Sequence, residues 1–408
     1  MSRELVDSYV EWIGKYPNEW MLFPLRAVVE NINEKNNPIK FTNVLSLTNK
    51  LGVVPYEEKG NQGNISKEDI SQYKIAYKDT VIINSMNLKI GSVGYSKYDG
   101  CVSPVYYILK NNEKSDIRFI NYIFQSNFQK YLSKYGKGIM EIREKISMYD
   151  VLHSYVPIPS LREQKRIVDY LNKQCKAIEN IIDDNNQEIK LLNEYKENLI
   201  TENVNKVEFR KVKLKNVCIK ITDGAHISPD TNNGIYDFVS VVDLQENGKI
   251  DFEHCLKTSL NSYEQMVKNS CNPIKGDVLI SKDGSVGKTA LIDYDKNFVV
   301  ASSLVILRPN QRLINSKYLE YSLNSHIVKE TLKSYLTGAG LKRVSIEKNK
   351  NLIIRIPNIK EQKKIIDFLD RKCLKLDQII SYRMQIIEKL EEYKKSLIYE
   401  AVTGKIEV

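Results

Sequence analysis

Long apolar runs are missing from this 408-residue chain, and none approaches the ~18–20 residues that a membrane-spanning helix requires. The N-terminus, MSRELVDSYVEWIGKYP, has early acidic residues and no continuous apolar core, which argues against a secretory leader. Cysteine is scarce and unpatterned. The six, at 101, 175, 218, 255, 271 and 373, form no C-x-x-C pair and no zinc-like spacing with the four histidines. They read as reduced thiols of a cytoplasmic protein.

Catalytic signatures are absent as well. KDGSVGKT would be a phosphate loop only if glycine stood where Lys282 does, so it reads as a glycine-rich turn between strands. Pro229-Asp230 is followed by no acidic-x-Lys element of a nuclease centre. His153, His226, His254 and His326 lack helical metal-binding spacing, and there is neither a G-x-S-x-G elbow nor an Asn-Pro-Pro-aromatic stretch for holding a flipped base. An enzyme of 408 residues with none of these motifs would be unusual, which leaves binding as the expected role, with no metal or cofactor on this chain.

What is present is positive charge and repetition. Apolar residues make up 42% and mean hydropathy is −0.39, values of a soluble globular protein. Net charge is +10, and nine of those ten excess charges fall in residues 1–158 and 207–356. A basic surface favours approach to phosphate, although many ordinary proteins are equally basic.

Residues Pro159–Val204 align without a gap onto Pro357–Val402 at an offset of 198, with 20 of 46 positions identical. Both copies have a helical period and a heptad seam. In the first the seam runs through Val168, Leu171, Cys175, Ile178, Ile182, Ile189, Leu192 and Leu199. In the second it runs through Ile366, Leu369, Cys373, Leu376, Ile380, Ile387, Leu390 and Leu397. Ile167, Ile181, Tyr195 and their counterparts Ile365, Ile379, Tyr393 are expected to widen the buried face. Polar residues interrupt both seams at matching places, Asn185 with Arg383 and Lys196 with Lys394, where they either fix register or mark a solvated stretch. About 40 residues at ~1.5 Å each make a rod of roughly 60 Å. Two such helices in one chain pack most simply as an antiparallel coiled coil.

The intervening segments repeat more weakly. Gly91-Ser-Val-Gly94 answers Gly284-Ser-Val-Gly287, and Gly136-Lys-Gly138 answers Gly338-Ala-Gly340, with strand-like runs at Val105–Leu109 and Leu304–Leu307. The expected class is α+β with a pseudo-twofold internal repeat. Its parts are a globular α/β domain at 1–155, a helix at 156–206, a second such domain at 207–354 and a second helix at 355–408.

These features together resemble the specificity subunits of type I restriction–modification systems. The resemblance rests on Ile158-Pro-Ser-Leu-Arg-Glu-Gln164 and Ile356-Pro-Asn-Ile-Lys-Glu-Gln362 at the helix entries. It also rests on Asp7-Ser-Tyr-Val-Glu-Trp-Ile-Gly14 with Pro17 and Trp20, on Asp223-Gly-Ala-His226, and on the ending LEEYKKSLIYEAVTGKIEV. The first domain departs from the pattern, because INEKNNPIKFT stands where a second Asp-Gly-Ala-His loop is sought.

The resemblance implies a non-catalytic chain with two target-recognition domains that read a split sequence in double-stranded DNA. It further implies two methyltransferase subunits carrying AdoMet and, optionally, restriction subunits using ATP and Mg. Candidate DNA contacts in the first domain are Lys35, Asn36, Asn37, Lys40, Asn84, Asn87, Lys89, Ser92, Tyr95 and Lys137. In the second they are Thr222, Asp223, His226, Ser228, Ser281, Lys282, Ser285, Lys342 and Arg343. His226 is equally suited to bracing its own turn. Trp12 and Trp20 are expected in the core, with a partner-facing role as the alternative. The competing class is a duplicated coiled-coil scaffold with no sequence-specific DNA role; a fused enzyme is the third.

Overall fold

A computed structural model of the chain describes residues 3–48, 52–59, 69–86, 88, 92–136, 145–232, 234–245, 247–336 and 343–408. The chain folds into two compact units. One comprises Met1–Asn185 with Met384–Val408, the other Asn186–Arg383. Each unit therefore takes one globular domain, part of the first long helix and part of the second.

In the first unit, strands β1 (Met21–Pro24), β2 (Val29–Ile32), β3 (Thr80–Asn84), β4 (Val93–Ser96), β5 (Tyr106–Asn111) and β6 (Tyr155–Ile158) form the frame. Four of them make an antiparallel sheet in the order β2-β5-β3-β4, with Ile108 opposite both Ile32 and Ile82, and Ile82 opposite Gly94. Strand β3 reads TVIIN and is buried along its whole length, as a β-branched central strand should be. Helix α1 (Ile117–Ile123) follows the sheet, and β6 pairs with β1 before leading into helix α2 (Leu161–Val204). Trp12 and Trp20 are both buried in this unit's core.

The second unit repeats the plan with β7 (Arg210–Lys213), β8 (Cys218–Asp223), β9 (Val278–Ser281), β10 (Thr289–Leu291), β11 (Leu304–Pro309), helix α3 (Ser316–Leu323), β12 (Ile353–Ile356) and helix α4 (Ile359–Val402). Its antiparallel sheet has the corresponding order β8-β11-β9-β10, and β12 pairs with β7 as β6 pairs with β1. The duplication thus extends to strand topology. The units differ outside this sheet. The second has an extra three-stranded sheet in which Tyr236–Val239 runs parallel to Phe298–Val300, whereas the first has two separate antiparallel pairs at 45–55 and 74–102.

The glutamine repeated at each helix entry has a structural explanation. Gln164 is fully buried; its amide donates to the carbonyls of Lys114 (3.0 Å) and Pro159 (2.9 Å) and accepts from Asp116 N (2.7 Å). Gln362, also fully buried, donates to Leu313 and Pro357 (3.0 Å each) and accepts from Asn315 N (2.8 Å). Asp116 and Asn315 are in turn the N-caps of α1 and α3. Each glutamine therefore ties the start of a long helix to the cap of its own domain's short helix. Its three bonds satisfy backbone groups that burial would otherwise leave unpaired.

The helices pack antiparallel. In the first unit Val168, Leu171, Cys175 and Ile178 share a core with Leu397, Ile398 and Val402; in the second Ile200 and Val204 share one with Ile365, Leu369 and Cys373. All sixteen seam residues are buried or half-buried. The expectation of a wider buried face holds only at the helix starts, where Ile167 and Ile365 are buried. Ile181, Tyr195, Ile379 and Tyr393 are exposed, because a two-helix contact away from the domains covers a single stripe. The seam's polar residues act in different ways. Lys196 reaches Asp377 (2.6 Å) and Arg383 reaches Glu188 (2.7 Å) within the second unit, and Lys394 reaches Glu179 (2.5 Å) within the first. Asn185 is buried and donates to Ile181 O of its own helix.

Candidate nucleic-acid interface

In the second unit the Asp-Gly-Ala-His segment closes strand β8 and is pinned to the loop before β11. Gly224 N donates to Leu304 O and Ala225 N to Val300 O, while Ser302 N donates back to Ala225 O. A Cβ on residue 224 would lie 2.2 Å from Ala301 O, so only glycine permits this approach. The neighbouring hairpin between β9 and β10 turns through Gly284 and Gly287, both at positive φ. Ser281 Oγ donates to Ser285 O (2.5 Å) and accepts from Lys288 N (2.9 Å). The seven-residue hairpin loop is braced from within.

These two segments and the chain near 343 converge. Asp283 and Arg343 form an antiparallel backbone bridge, and Val344 N donates to Lys282 O (2.8 Å). Side chains then form a line of alternating charge. His226 Nε2 donates to Asp223 Oδ2 (2.8 Å); Lys282 Nζ lies 3.6 Å from Asp223 and 3.8 Å from Asp283; Arg343 Nε lies 3.6 Å from Asp283. His226 and Arg343 form its exposed ends, whereas Lys282 is almost wholly buried in its middle. Ser228 and Ser285 are exposed beside it, and Thr222 is half-buried with its hydroxyl directed to Asp223 O. The structure thus brings together Thr222, Asp223, His226, Ser281, Lys282, Ser285 and Arg343. Ser281 and Lys282 are internal braces and are not presented to solvent, a correction to their expected role. Lys342 lies outside the described residues.

The first unit is arranged differently. Lys35, Asn37 and Lys40 are exposed on one loop, which Asn36 holds from beneath. Asn36 is fully buried: its oxygen accepts from Lys40 N and Phe41 N, and its amide donates to Phe41 O. It too is a brace and not a surface group. Lys40 Nζ is 2.9 Å from Tyr77 Oη, and Tyr77 Oη donates to Glu34. The Lys40–Tyr77 hydrogen bond is the first cause holding the Lys40 ammonium above its ordinary pKa. Asn84 and Ser92 are buried at the hairpin end of the sheet. Tyr95 is not with them; it donates to Asp79 at the opposite end of β3. Asn87, Lys89 and Lys137 lie outside the described residues.

Two lysines at this hairpin end escaped the sequence reading. Lys74 is half-buried and donates to Tyr106 O (2.9 Å), opposite Asn84 in the sheet. Burial first, and then the positive charge of Lys145, pushes its pKa down. No carboxylate among the described residues is within salt-bridge reach of it. Lys145 stands 198 positions before Arg343, the offset of the helical repeat, so both domains carry a basic residue at the same place in the fold.

A family model of the type I restriction modification DNA specificity domain matches residues 17–191 and again 206–392. The chain belongs to that family. Members are specificity subunits, the non-catalytic components that confer DNA sequence recognition in restriction–modification. Each match covers one globular domain and most of the helix after it.

This specificity subunit is 23% identical to a putative type I restriction enzyme MjaX specificity subunit of Methanocaldococcus jannaschii, over 97% of this chain and 96% of the relative. It is 20% identical to the EcoBI specificity subunit of Escherichia coli, over 99% and 90% respectively. Among solved structures, a chain from a type I restriction–modification system studied for complex assembly and conformational transition superposes with a TM-score of 0.73. Identity there is 17%, with 96% of this chain and all of that chain covered. That likeness is one of fold. No helix among the described residues is long and apolar enough to cross a membrane.

Proposed function

We propose that this subunit recognises a bipartite target in double-stranded DNA, one half-site per unit, and directs partner methyltransferase and restriction subunits to it. The observation that carries the reading is repetition of a whole reading device. Both units have the same sheet order, the same buried glutamine at the helix entry, and a basic residue, Lys145 or Arg343, beside the hairpin end of the sheet. Two such readers in one chain engage DNA as a bivalent ligand, so the second contact is nearly intramolecular. We assign the reading to modules 1–155 and 207–354, and the gap between half-sites to helices 156–206 and 355–408.

Phosphate anchoring falls to Lys35, Lys40, Lys74, Lys145 and Arg343, and base-edge contacts to Asn37, Thr222, His226, Ser228 and Ser285. The exposed apolar residues of the long helices are the docking surface for two methyltransferase subunits. The register set by Lys394–Glu179 brings Ile181 opposite Tyr393 within one residue, and that of Lys196–Asp377 does the same for Tyr195 and Ile379. Two equivalent patches suit two equivalent partners. In this reading AdoMet belongs to those partners, ATP and Mg to an optional restriction subunit, and the complex works in the cytoplasm.

Selection from a randomised duplex library by the complex with its methyltransferase tests the proposal. Enrichment of two short blocks at one fixed spacing is expected, with His226→Ala relaxing one block only and Arg343→Ala weakening binding without changing either block. Enrichment of a single continuous block, or of none, would contradict it; the latter favours a scaffold.

A further inference from the structure

Beside the charged line of the second unit stands a short turn, Val241–Asp243, that the sequence reading did not single out. It is rigidly mounted. Ser240 N donates to Asp243 Oδ2 (2.7 Å) and Ser240 Oγ to the same oxygen (2.9 Å), while Asp243 N donates back to Ser240 O (3.2 Å). Val241 N donates to Ser303 Oγ (3.2 Å), and Ser303 O accepts from Lys282 N. Val241 Cγ1 lies 3.6 Å from the position a Cβ would take on Gly284, so the turn abuts the tip of the β9–β10 hairpin. On the far side of the turn, Lys288 Nζ donates to Leu244 O.

Between half-buried Val241 and buried Asp243 the turn presents Val242, 85% exposed. Lone exposed apolar residues are common. This one differs in its mount, because the turn is held on one side by Val241, against Gly284 and Ser303, and on the other by Leu244, whose carbonyl accepts from Lys288 of the same hairpin. A β-branched side chain on such a turn has little conformational freedom left to lose on binding. The chemical group on a base edge that rewards an apolar contact is the thymine 5-methyl in the major groove.

We propose that Val242 is a specificity-determining residue of the second recognition domain and packs on the 5-methyl group of a thymine in its half-site. The proposal rests on the DNA-recognition reading above. It adds an apolar contact to a set of assigned contacts that are otherwise polar or charged.

Replacing each thymine of the recognised motif by uracil, one at a time, removes the methyl and keeps base pairing. With the complete methyltransferase complex, the wild type is expected to lose about fourfold in methylation efficiency at one position of one half-site, the factor for one apolar carbon withdrawn from water. Val242→Ala should lose a similar factor on thymine DNA, show no further loss with uracil there, and keep the other half-site, the gap and its melting temperature. The inference is overturned if Val242→Ala stays as sensitive to uracil as the wild type at every position, or if the wild type is insensitive everywhere. A wild-type complex that methylates no bipartite motif overturns the recognition reading itself, and this inference with it.

Discussion

Lys196 and Asp377 meet at 2.6 Å, and the residues 198 positions away from each, Lys394 and Glu179, meet at 2.5 Å. The two ion pairs are one interaction made twice by the internal repeat. Each places a polar residue of the seam against the facing helix, where a slip of register would strand both charges.

The pairs are partly exposed, so each is worth only ~0.2–1 kcal/mol. Asp377→Lys should lower the melting temperature modestly, and the exchange Lys196→Asp with Asp377→Lys should recover most of the loss. A double-mutant cycle by thermal or urea unfolding measures it. Coupling indistinguishable from zero would mean the pair contributes nothing to register.

Gln362→Leu should cost far more. It strips hydrogen bonds from Asn315 N, Leu313 O and Pro357 O in a fully buried site, at about 1–3 kcal/mol for each backbone group left unsatisfied. Urea unfolding should register a loss of several kcal/mol, and Gln164→Leu should behave alike. A loss no larger than that of a surface substitution would show that water replaces the glutamine.

Gly224→Ala drives a methyl into Ala301 O and must displace the Asp-Gly-Ala-His loop. The expected result is a stability loss of roughly 1–3 kcal/mol and impaired recognition of one half-site, with helical content by circular dichroism unchanged. Unaltered recognition of both half-sites would remove this loop from the interface.

Burial works to raise the Asp237 carboxyl's pKa, but hydrogen bonds from Lys257 and Lys296 overcome it and hold the group below the usual carboxylate range. A depressed folded-state pKa contributes stability that is complete above the unfolded value and is lost as pH falls through the folded one. Stability measured from neutral pH down through that acidic window should therefore decline less steeply in Asp237→Asn than in the wild type. Parallel profiles would contradict the assignment.

The helices were legible because a heptad seam and a fixed offset of 198 survive in the sequence. The exposure of Ile181, Tyr195, Ile379 and Tyr393 was not, since periodicity shows which residues share a face but not how wide the covering partner is. The common sheet was legible only in part: TVIIN and VLIS share a Val-Ile/Leu-Ile pattern, but the order in which the strands pair leaves no mark in the sequence. Asn36, Ser281 and Lys282 looked like loop contacts because composition marks turns without telling which polar side chains fold inward. Lys145 was within reach of the offset that links it to Arg343. Lys74 was not, because only strand pairing places it near Lys145.

The central claim is met most directly by single-molecule methylation sequencing of cells carrying this chain with its methyltransferase partner, against cells lacking only this chain. The account predicts that one bipartite adenine-methylated motif disappears on deletion. An unchanged methylome in cells that express the complex would contradict it.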